Sequence, residues 1–360
     1  MKLPSLQKAI TQSIDGSPQL TDSVPLPSLK PGTVIVKTVA VALNPTDNKM
    51  GAAFPTPGAL VGTDFSGTIV AIHHDTKTYF VVGDRVCGAV HGSNPGNPSN
   101  GAFAEYVRIR PELLYRVPAS GMTMKEAATL GIGLATNIMA LWDSSALGLG
   151  GFTPESPAPD PGFPVLVYGG STATGTLAIQ LLRLSGLDPI VTCSPRNFEL
   201  VRSRGASPDS VFDYVDPGLV DSIKKRAGGR LKYAYDCIGD ATSAAHCYAA
   251  LSRLGGRYVC LEKVPDEVLH KRRAVRSKLV IAYEANGEHV PLPEPWGTKA
   301  DPTKFALAAG CTGMLQRLLD QGLLKTHPVQ EVEGGLEGAL RGLKLLKSGE
   351  VWGKKLVVAL

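Results

Sequence analysis

The sequence predicts an α/β fold of two domains, one β-rich and one a doubly wound parallel sheet, and three features carry that expectation. A chain of 360 residues is longer than one hydrophobic core comfortably serves. Its N-terminal third is rich in Val, Thr, Gly and Pro arranged in short strand-like runs, the texture of a compact β domain. Beyond it, apolar runs of strand length alternate with helical patterns, as a parallel sheet with crossover helices requires.

In chain order, Thr33–Val41 and Gly67–Ile72 read as strands set apart by glycine and proline turns, with few helix signals before residue 124. Met124–Leu130 begins a helical pattern, and Asn137–Trp142 continues as a second. Residues 148–164, rich in Gly and Pro, form a loop that leads into a strand at 165–168. The alternation then runs strand 189–192, helix near 197–204, strand 210–214, helix near 218–227, strand 233–238, helix near 241–253 and strand 257–261. Leu279–Tyr283 reads as a further strand. Glu284–Thr303 carries Pro291, Pro293, Pro295 and Pro302 and fits no regular element, so it is read as a lid or a solvated connection. An amphipathic helix near 303–321, a helix at 335–347 and a closing strand Lys355–Ala359, returning to the first domain, complete the chain. The expected domains are 1–130 with 310–360, and 131–309.

The most informative stretch is Pro164 to Gly175. Four apolar residues end at Gly169 and Gly170, small residues follow, and Leu177–Leu184 continues with helical character. Gly170 would let the backbone approach a pyrophosphate, Gly175 would let the helix lie close to the sheet, and the free N–H groups at the helix start attract negative charge. An ordinary strand-to-helix turn is the plain alternative; the flanking strand and helix favour a dinucleotide site. The second strand decides which dinucleotide. NAD sites place an Asp or Glu roughly 20 residues beyond the glycines to grip the ribose hydroxyls. Here Pro189–Thr192 ends in Cys193, Ser194, Pro195, Arg196 and Asn197. A hydroxyl, an amide and a guanidinium suit a 2′-phosphate, which a carboxylate would repel, so the reading is NADPH.

Composition narrows the class. No apolar run approaches the ~18 residues of a membrane span, and the N-terminus opens no signal-peptide pattern, so a cytoplasmic enzyme without membrane contact is expected. The six cysteines, at 87, 193, 237, 247, 260 and 311, show no paired spacing and are read as reduced. A formal charge of +5 is modest for this length and gives no argument for nucleic acid.

The order of motifs supplies more. Asn44-Pro45-Thr46-Asp47, Gly62-Thr63-Asp64-Phe65-Ser66-Gly67, Val82-Gly83-Asp84-Arg85-Val86 and Gly101-Ala102-Phe103-Ala104-Glu105-Tyr106, ahead of a nucleotide fold, resemble the medium-chain dehydrogenase/reductase superfamily. Within it, Tyr168 to Thr174, Cys193-Ser194-Pro195 and Val211-Phe212-Asp213-Tyr214 resemble the fungal trans-acting enoyl reductases of polyketide biosynthesis, the lovastatin enoyl reductase type. The likeness runs nearly the whole chain and is most specific over 165–215. It implies a GroES-like β-rich catalytic domain beside a Rossmann domain. It also implies hydride transfer from NADPH to the β-carbon of an α,β-unsaturated thioester. That substrate is carried by the acyl-carrier domain of a separate highly reducing polyketide synthase or synthase–peptide synthetase hybrid.

Carried over by motif, Pro45, Thr46, Asp47 and Asn48 line the nicotinamide side, and Ser171, Thr172, Ala173 and Thr174 hold the pyrophosphate. Ser194, Pro195, Arg196, Asn197 and Tyr214 surround the 2′-phosphate and adenine, and Leu261, Glu262, Val351 and Trp352 make further cofactor contacts. Two segments match the family's substrate contacts: Leu134, Ala135, Thr136, Asn137, Ile138, Met139, Ala140 and Leu141, and Ile281, Ala282, Tyr283, Glu284 and Ala285. An apolar helix is compatible with the first of these. Lys49 matches a lysine kept beside the nicotinamide, as the catalytic candidate. Three roles are open to it, orienting the ribose, donating to an enolate oxygen or relaying a proton through water, and a surface lysine is the bland alternative.

Zinc can be tested on the residues themselves. Relatives that bind it use a soft cysteine, a histidine and a lobe of four cysteines. Here those positions read Asn44-Pro45 and Gly62-Thr63-Asp64, and 91–101 has no cysteine, so no metal site is expected. Reduction of an already activated double bond then fits better than alcohol oxidation. His91, in a Gly/Asn/Pro loop, is expected to be solvated and incidental. Lys271, Arg272, Arg273, Arg276 and Lys278 form the densest basic cluster, either a solvated face or a docking surface for an acidic carrier domain. Because the strand expected at 279–283 runs into proline, edge-to-edge pairing is disfavoured and a monomer is expected. Two rivals remain: an NADPH-dependent quinone or alkenal reductase acting on free small molecules, and a cofactor-binding module without turnover.

Overall fold

The structure, a computed structural model, describes residues 3–159 and 162–360. Asp160 and Pro161, within the expected 148–164 loop, lie outside the described residues, as do Met1 and Lys2. By contacts the chain divides into two units. One takes the residues up to Ala135 with Gly287–Asp301 and Ala308–Leu360, and the other takes Thr136–Asn286 with Pro302–Leu307.

The first unit opens with an antiparallel pair, β1 (Leu6–Gln12) and β2 (Pro18–Pro25). Next comes β3 (Val34–Ala42), a nine-residue run of mostly β-branched residues buried along most of its length, which gives way to helix α1 (Pro45–Ala53). Asn44 precedes Pro45, whose missing N–H is harmless at a first helical position. β4 (Asp64–Ile72), β5 (Arg85–Ala89), β6 (Tyr106–Ile109) and β7 (Tyr115–Arg116) follow. The chain then turns helical through α2 (Met124–Ala127) and α3 (Gly131–Asn137). α2 is one turn long, started by a capping box in which Thr123 Oγ1 accepts from Glu126 N at 3.2 Å while Glu126 accepts from Thr123 N at 2.8 Å.

The second unit is built on β8 (Pro164–Tyr168), α4 (Ala173–Leu184), β9 (Asp188–Cys193), α5 (Phe198–Ser203), β10 (Val211–Asp213), α6 (Leu219–Arg226), β11 (Tyr233–Asp236), α7 (Ala241–Ala250), β12 (Gly256–Cys260), α8 (Asp266–Leu269) and β13 (Val275–Leu279). Its six strands lie parallel in the order β10-β9-β8-β11-β12-β13. The chain thus starts mid-sheet, winds outward to β10, and crosses to β11 on the other side of β8. That reversal is the switch point of a Rossmann sheet, where ligands bind beyond the carboxyl ends of the strands. Leu166, Ile190, Ala234, Tyr258, Ile223 and Cys247 belong to its core.

α9 (Pro302–Asp320), β14 (Val329–Glu331), α10 (Gly335–Lys347) and β15 (Lys355–Ala359) close the chain. As expected, β15 returns to the first unit, where it pairs antiparallel with β3, Val357 facing Ala42, and parallel with β14. The main sheet runs β14-β15-β3-β4-β5-β7, with β6 also on β3. Phe65, Phe103, Ile10, Val36, Leu356 and Val358 are part of the core beneath it.

Three sequence expectations change. The last sheet strand is Val275–Leu279, not 279–283; Val-Arg-Ser-Lys-Leu pairs in register with β12. Val280, Ile281 and Tyr283 are apolar because they are buried, and the chain there turns into a 3₁₀ helix over Ala282–Asn286. A short apolar run does not distinguish these cases. The helix expected at 137–142 is a π-helix over Ile138–Trp142, directly continuing α3. The basic cluster is not one surface. The Arg272 guanidinium donates to the carbonyls of Tyr248 (2.5 Å), Leu251 (3.0 Å) and Ser252, closing the end of α7, and Lys278 lies 3.4 Å from Glu284.

Candidate functional site

In the second unit, β8 delivers Gly169 and Gly170 to the carboxyl edge of the sheet, with both N–H groups donating to Thr192 O of β9 (3.1 and 2.9 Å). Gly169 has φ +78°, and a Cβ there would sit 2.7 Å from Ile238 Cγ1. The sequence reading assigned Gly170 to close approach by a pyrophosphate. It is also constrained on its protein side, where a Cβ would lie 2.2 Å from Val191 Cγ1. Gly175 behaves as expected: a Cβ there would meet Gly169 O at 2.6 Å, so the first turn of α4 presses on the loop before it. Thr172 caps α4, its Oγ1 accepting from Gly175 N at 3.0 Å. Ser171, Thr172, Ala173 and Thr174 are half-buried around that N-terminus, where unpaired helical N–H groups favour an anion.

The second strand end is tied to this loop. Asn197 Nδ2 donates to Ser171 Oγ at 3.2 Å, so two separately expected cofactor segments are brought together. Pro195–Asn197 forms a 3₁₀ turn after Ser194, with Pro195 and Arg196 exposed and Ser194 and Asn197 half-buried. Tyr214 is exposed just past β10, and Leu261 and Glu262 are half-buried just past β12.

One group was missed by sequence reasoning. Asp236, fully buried at the end of β11, accepts from Ser243 Oγ (2.6 Å), Tyr258 OH (2.8 Å), Ile238 N (3.0 Å) and Gly239 N (2.9 Å). Burial raises its pKa against the pull of these bonds. The network shapes the 237–239 turn, which packs on Gly169 through Ile238 and on Glu262 through Gly239. The signal was a carboxylate closing an apolar strand run, Tyr233-Ala234-Tyr235-Asp236.

The two expected substrate segments fall out as follows. Leu134 and Ala135 belong to the first unit, Thr136 to Leu141 and Ile281 to Ala285 to the second. Within the second unit, the π-helix Ile138–Trp142 packs against the 3₁₀ turn that carries Ala282 to Ala285. The π-helix is entirely buried, and Asn137 just before it donates from Nδ2 to Thr174 O at 3.2 Å. π-helical turns recur at functional sites.

In the first unit, Asp47 lies buried in α1, accepting from Asn44 N (2.7 Å) and Thr63 Oγ1 (3.1 Å). Asn44 Nδ2 donates to Thr63 Oγ1 (2.9 Å) and Asp64 Oδ2 (3.0 Å). Asp64, 0% exposed, also accepts from Lys355 Nζ (2.5 Å) and Ile132 N (2.6 Å), and Lys355, 4% exposed, donates to Thr129 O (3.3 Å). The positions where a zinc site would need sulfur and imidazole thus hold amide, hydroxyl and carboxylate groups bonded to one another and to an ammonium. Burial, with the Asp64 charge adding to it, pushes the Asp47 carboxyl up to about 7 against the hydrogen bonds from Asn44 and Thr63.

The same helix carries the other expected residues. Pro45 and Lys49 are exposed and Thr46 is half-buried, while Asn48 Nδ2 donates to Leu343 O at 2.8 Å. Lys49 therefore stands on a helix, not in a loop. Val351 is half-buried and Trp352 is 55% exposed before β15. His91 was expected in solvent and is instead 7% exposed, with burial lowering its pKa to about 3. Its loop folds inward because Gly92 packs against the Gly62 backbone and Ser93 N donates to Leu60 O. Among the described residues, His73, His74 and Asp75 form a cluster with metal-ligand spacing, on the surface.

Comparison with known proteins agrees with this picture. The alcohol dehydrogenase GroES-like domain family matches residues 30–119. The chain is 51% identical to trans-enoyl reductase TwmE of Talaromyces wortmannii, over 96% of each chain. It is 43% identical to trans-enoyl reductase poxP of Penicillium oxalicum, over 99% of this chain and 94% of that one. Among solved structures it resembles the CurK enoyl reductase (TM-score 0.73, 19% identity, covering 98% of this chain and 99% of that one). It also resembles the quinone oxidoreductase of Coxiella burnetii (TM-score 0.70, 22% identity, 98% and 99%). At such identities these two likenesses speak to the fold alone.

Two outcomes follow from the buried network. Replacing Lys355 by Met leaves the Asp64 charge without its ammonium and lowers unfolding free energy by about 3–5 kcal/mol. In denaturant titrations the additional change Asp64→Leu recovers part of that loss. The second outcome concerns pH. Since the Asp47 pKa rises from 3.8 to about 7 on folding, the folded state holds a proton that the unfolded chain releases between those values. Its stabilising effect is complete below pH 3.8 and disappears as pH climbs through about 7. Wild type should lose stability relative to Asp47→Asn across that window; parallel unfolding midpoints would show that Asp47 titrates normally.

Proposed function

The chain belongs to the trans-enoyl reductase family, and from that premise we propose that it reduces an α,β-unsaturated polyketide thioester with NADPH. The thioester is carried by the acyl-carrier domain of a separate highly reducing polyketide synthase or synthase–peptide synthetase hybrid. The end-to-end match to proteins named for enoyl reduction carries the reading. A nicotinamide cofactor comes with the family. The choice of NADPH rests on the end of β9, where Ser194, Arg196 and Asn197 are offered and no carboxylate is. We take the enzyme to be zinc-independent, because Asn44, Thr63 and Asp64 are engaged with one another. A monomer working in the cytoplasm completes the proposal.

When bound, the reduced nicotinamide supplies a hydride. With that hydride added at the β-carbon, the π electrons would move to the thioester oxygen, and a proton from water would complete reduction at the α-carbon. The Thr172-capped start of α4 and the Ser171–Asn197 link fit the pyrophosphate, and Arg196 fits the 2′-phosphate. Lys49 is assigned to the thioester oxygen, where an ammonium stabilises the developing enolate. The buried network fixes its helix, and the segments at 134–141 and 281–285 are assigned to the acyl chain.

The deciding experiment follows NADPH and NADH consumption by the purified protein with enoyl pantetheine thioesters and with free quinones. Turnover of the thioesters, preferentially with NADPH, is expected. Arg196→Ala should raise KM for NADPH about tenfold or more with NADH nearly unaffected, and Lys49→Met should lower kcat about a hundredfold. Turnover confined to quinones would replace this reading with that of a free-quinone reductase.

A further inference from the structure

The segment 287–301, read from sequence as a lid or a solvated connection, is a closed loop of the first unit held by its own backbone. Val290 N donates to Thr298 O (2.9 Å) and Thr298 N returns to Val290 O (3.2 Å). Trp296 N and Gly297 N both donate to Pro293 O (3.0 and 3.1 Å), and Asp301 N donates to Gly287 O (3.1 Å) across the base. His289 Nδ1 adds a contact with Thr298 O at 2.8 Å. The turn is tight enough that a Cβ on Gly297 would fall 1.9 Å from Leu292 O. Such a loop presents its side chains in fixed positions.

What it presents is an aromatic ring. Trp296 meets Phe54 edge-on, with centroids 5.4 Å apart and planes at 64°. Phe54 ends α1, its N–H donating to Met50 O at 2.8 Å. Five residues earlier on the same helix stands Lys49, about 7.5 Å away along the axis. A second anchor is Pro291, whose Cγ lies 3.1 Å from where a Gly96 Cβ would be. Both rings remain half-buried rather than sealed in the core. At its other end the loop continues directly from Ile281–Ala285. The aromatic pair is thus tied to the end of the helix assigned to the thioester.

We propose that Phe54 and Trp296 form an apolar subsite for the distal part of the substrate's acyl chain, so that the 287–301 loop sets the preferred chain length. The proposal rests on the enoyl reductase reading above and adds the residues that discriminate among its substrates. Two adjoining aromatic rings supply apolar surface that suits methylene and alkene carbons. Because the rings sit at the end of α1, beyond the lysine, a short acyl group should not reach them, whereas a long one should.

The test measures kcat/KM with NADPH for pantetheine thioesters from butenoyl to dodecenoyl, in wild type, Trp296→Ala, Trp296→Phe and Phe54→Leu, with thermal unfolding as the check on folding. Trp296→Ala should lower kcat/KM for the longest substrate about tenfold, through KM, while butenoyl changes by less than about twofold. Trp296→Phe, which keeps an aromatic face, should restore most of the preference. An equal fall at every chain length, or an unchanged ratio in folded variants, would overturn the subsite while leaving enoyl reduction intact. Wild type that turns over none of the thioesters would overturn both.

Discussion

A single buried ion pair organises the first unit. Lys355, on the last strand, and Asp64, at the start of β4, are nearly 300 residues apart in sequence and are both removed from water. Desolvating two charges costs several kcal/mol each and is offset only where the remaining hydrogen-bonding capacity is also used. Here it is: Asp64 accepts from Asn44 and from the Ile132 N–H, and Lys355 donates onward to the Thr129 carbonyl. Five segments meet on this pair. Among them is the cap of α1, which turns Asp47 inward and Pro45 and Lys49 outward. The outward residues gain a defined direction from a network that is itself inaccessible.

The second unit uses the same device on a different scaffold. Asp236 closes β11 and gathers four donors, two side-chain hydroxyls and two backbone N–H groups. Through Ile238 and Gly239 this fixed turn supports Gly169 on one side and Glu262 on the other. In both units a buried carboxylate spends its acceptors on loop geometry, and the groups suited to ligands lie one or two residues away on a half-exposed surface. This arrangement keeps the loop after β8 and the lysine-bearing helix in place through buried hydrogen bonds.

The Rossmann half was legible because each of its elements is a local pattern. Pro164 to Gly175 announces strand, turn and helix within twelve residues; in the first unit the local patterns of α10 and β15 likewise match 335–347 and 355–359. The misreadings share a cause. Val280–Tyr283 resembles a strand in sequence because burial, not pairing, makes it apolar; the edge strand itself carries Arg276 and Lys278 and reads as part of a basic patch. Arg272 and His91 were misplaced for the converse reason. A guanidinium can be drawn in by three carbonyls, and an imidazole can be enclosed by a loop folding over glycine, and neither event leaves a periodic trace. Long-range partners such as Asp64 and Lys355 are invisible to any window reading, although a lysine opening an apolar strand was a usable hint.

A family membership established end to end, a glycine-bearing strand-to-helix loop tied to a second strand that ends without a carboxylate, and a helix held by buried charge converge on hydride delivery to an activated alkene. The most direct measurement follows the atom that moves. With NADPH deuterated at its transferable hydrogen and an enoyl pantetheine thioester, one deuterium is expected on the β-carbon of the saturated product, read by NMR and mass spectrometry. Deuterium on the carbonyl carbon of an aldehyde or alcohol, or a saturated product free of label, would contradict it.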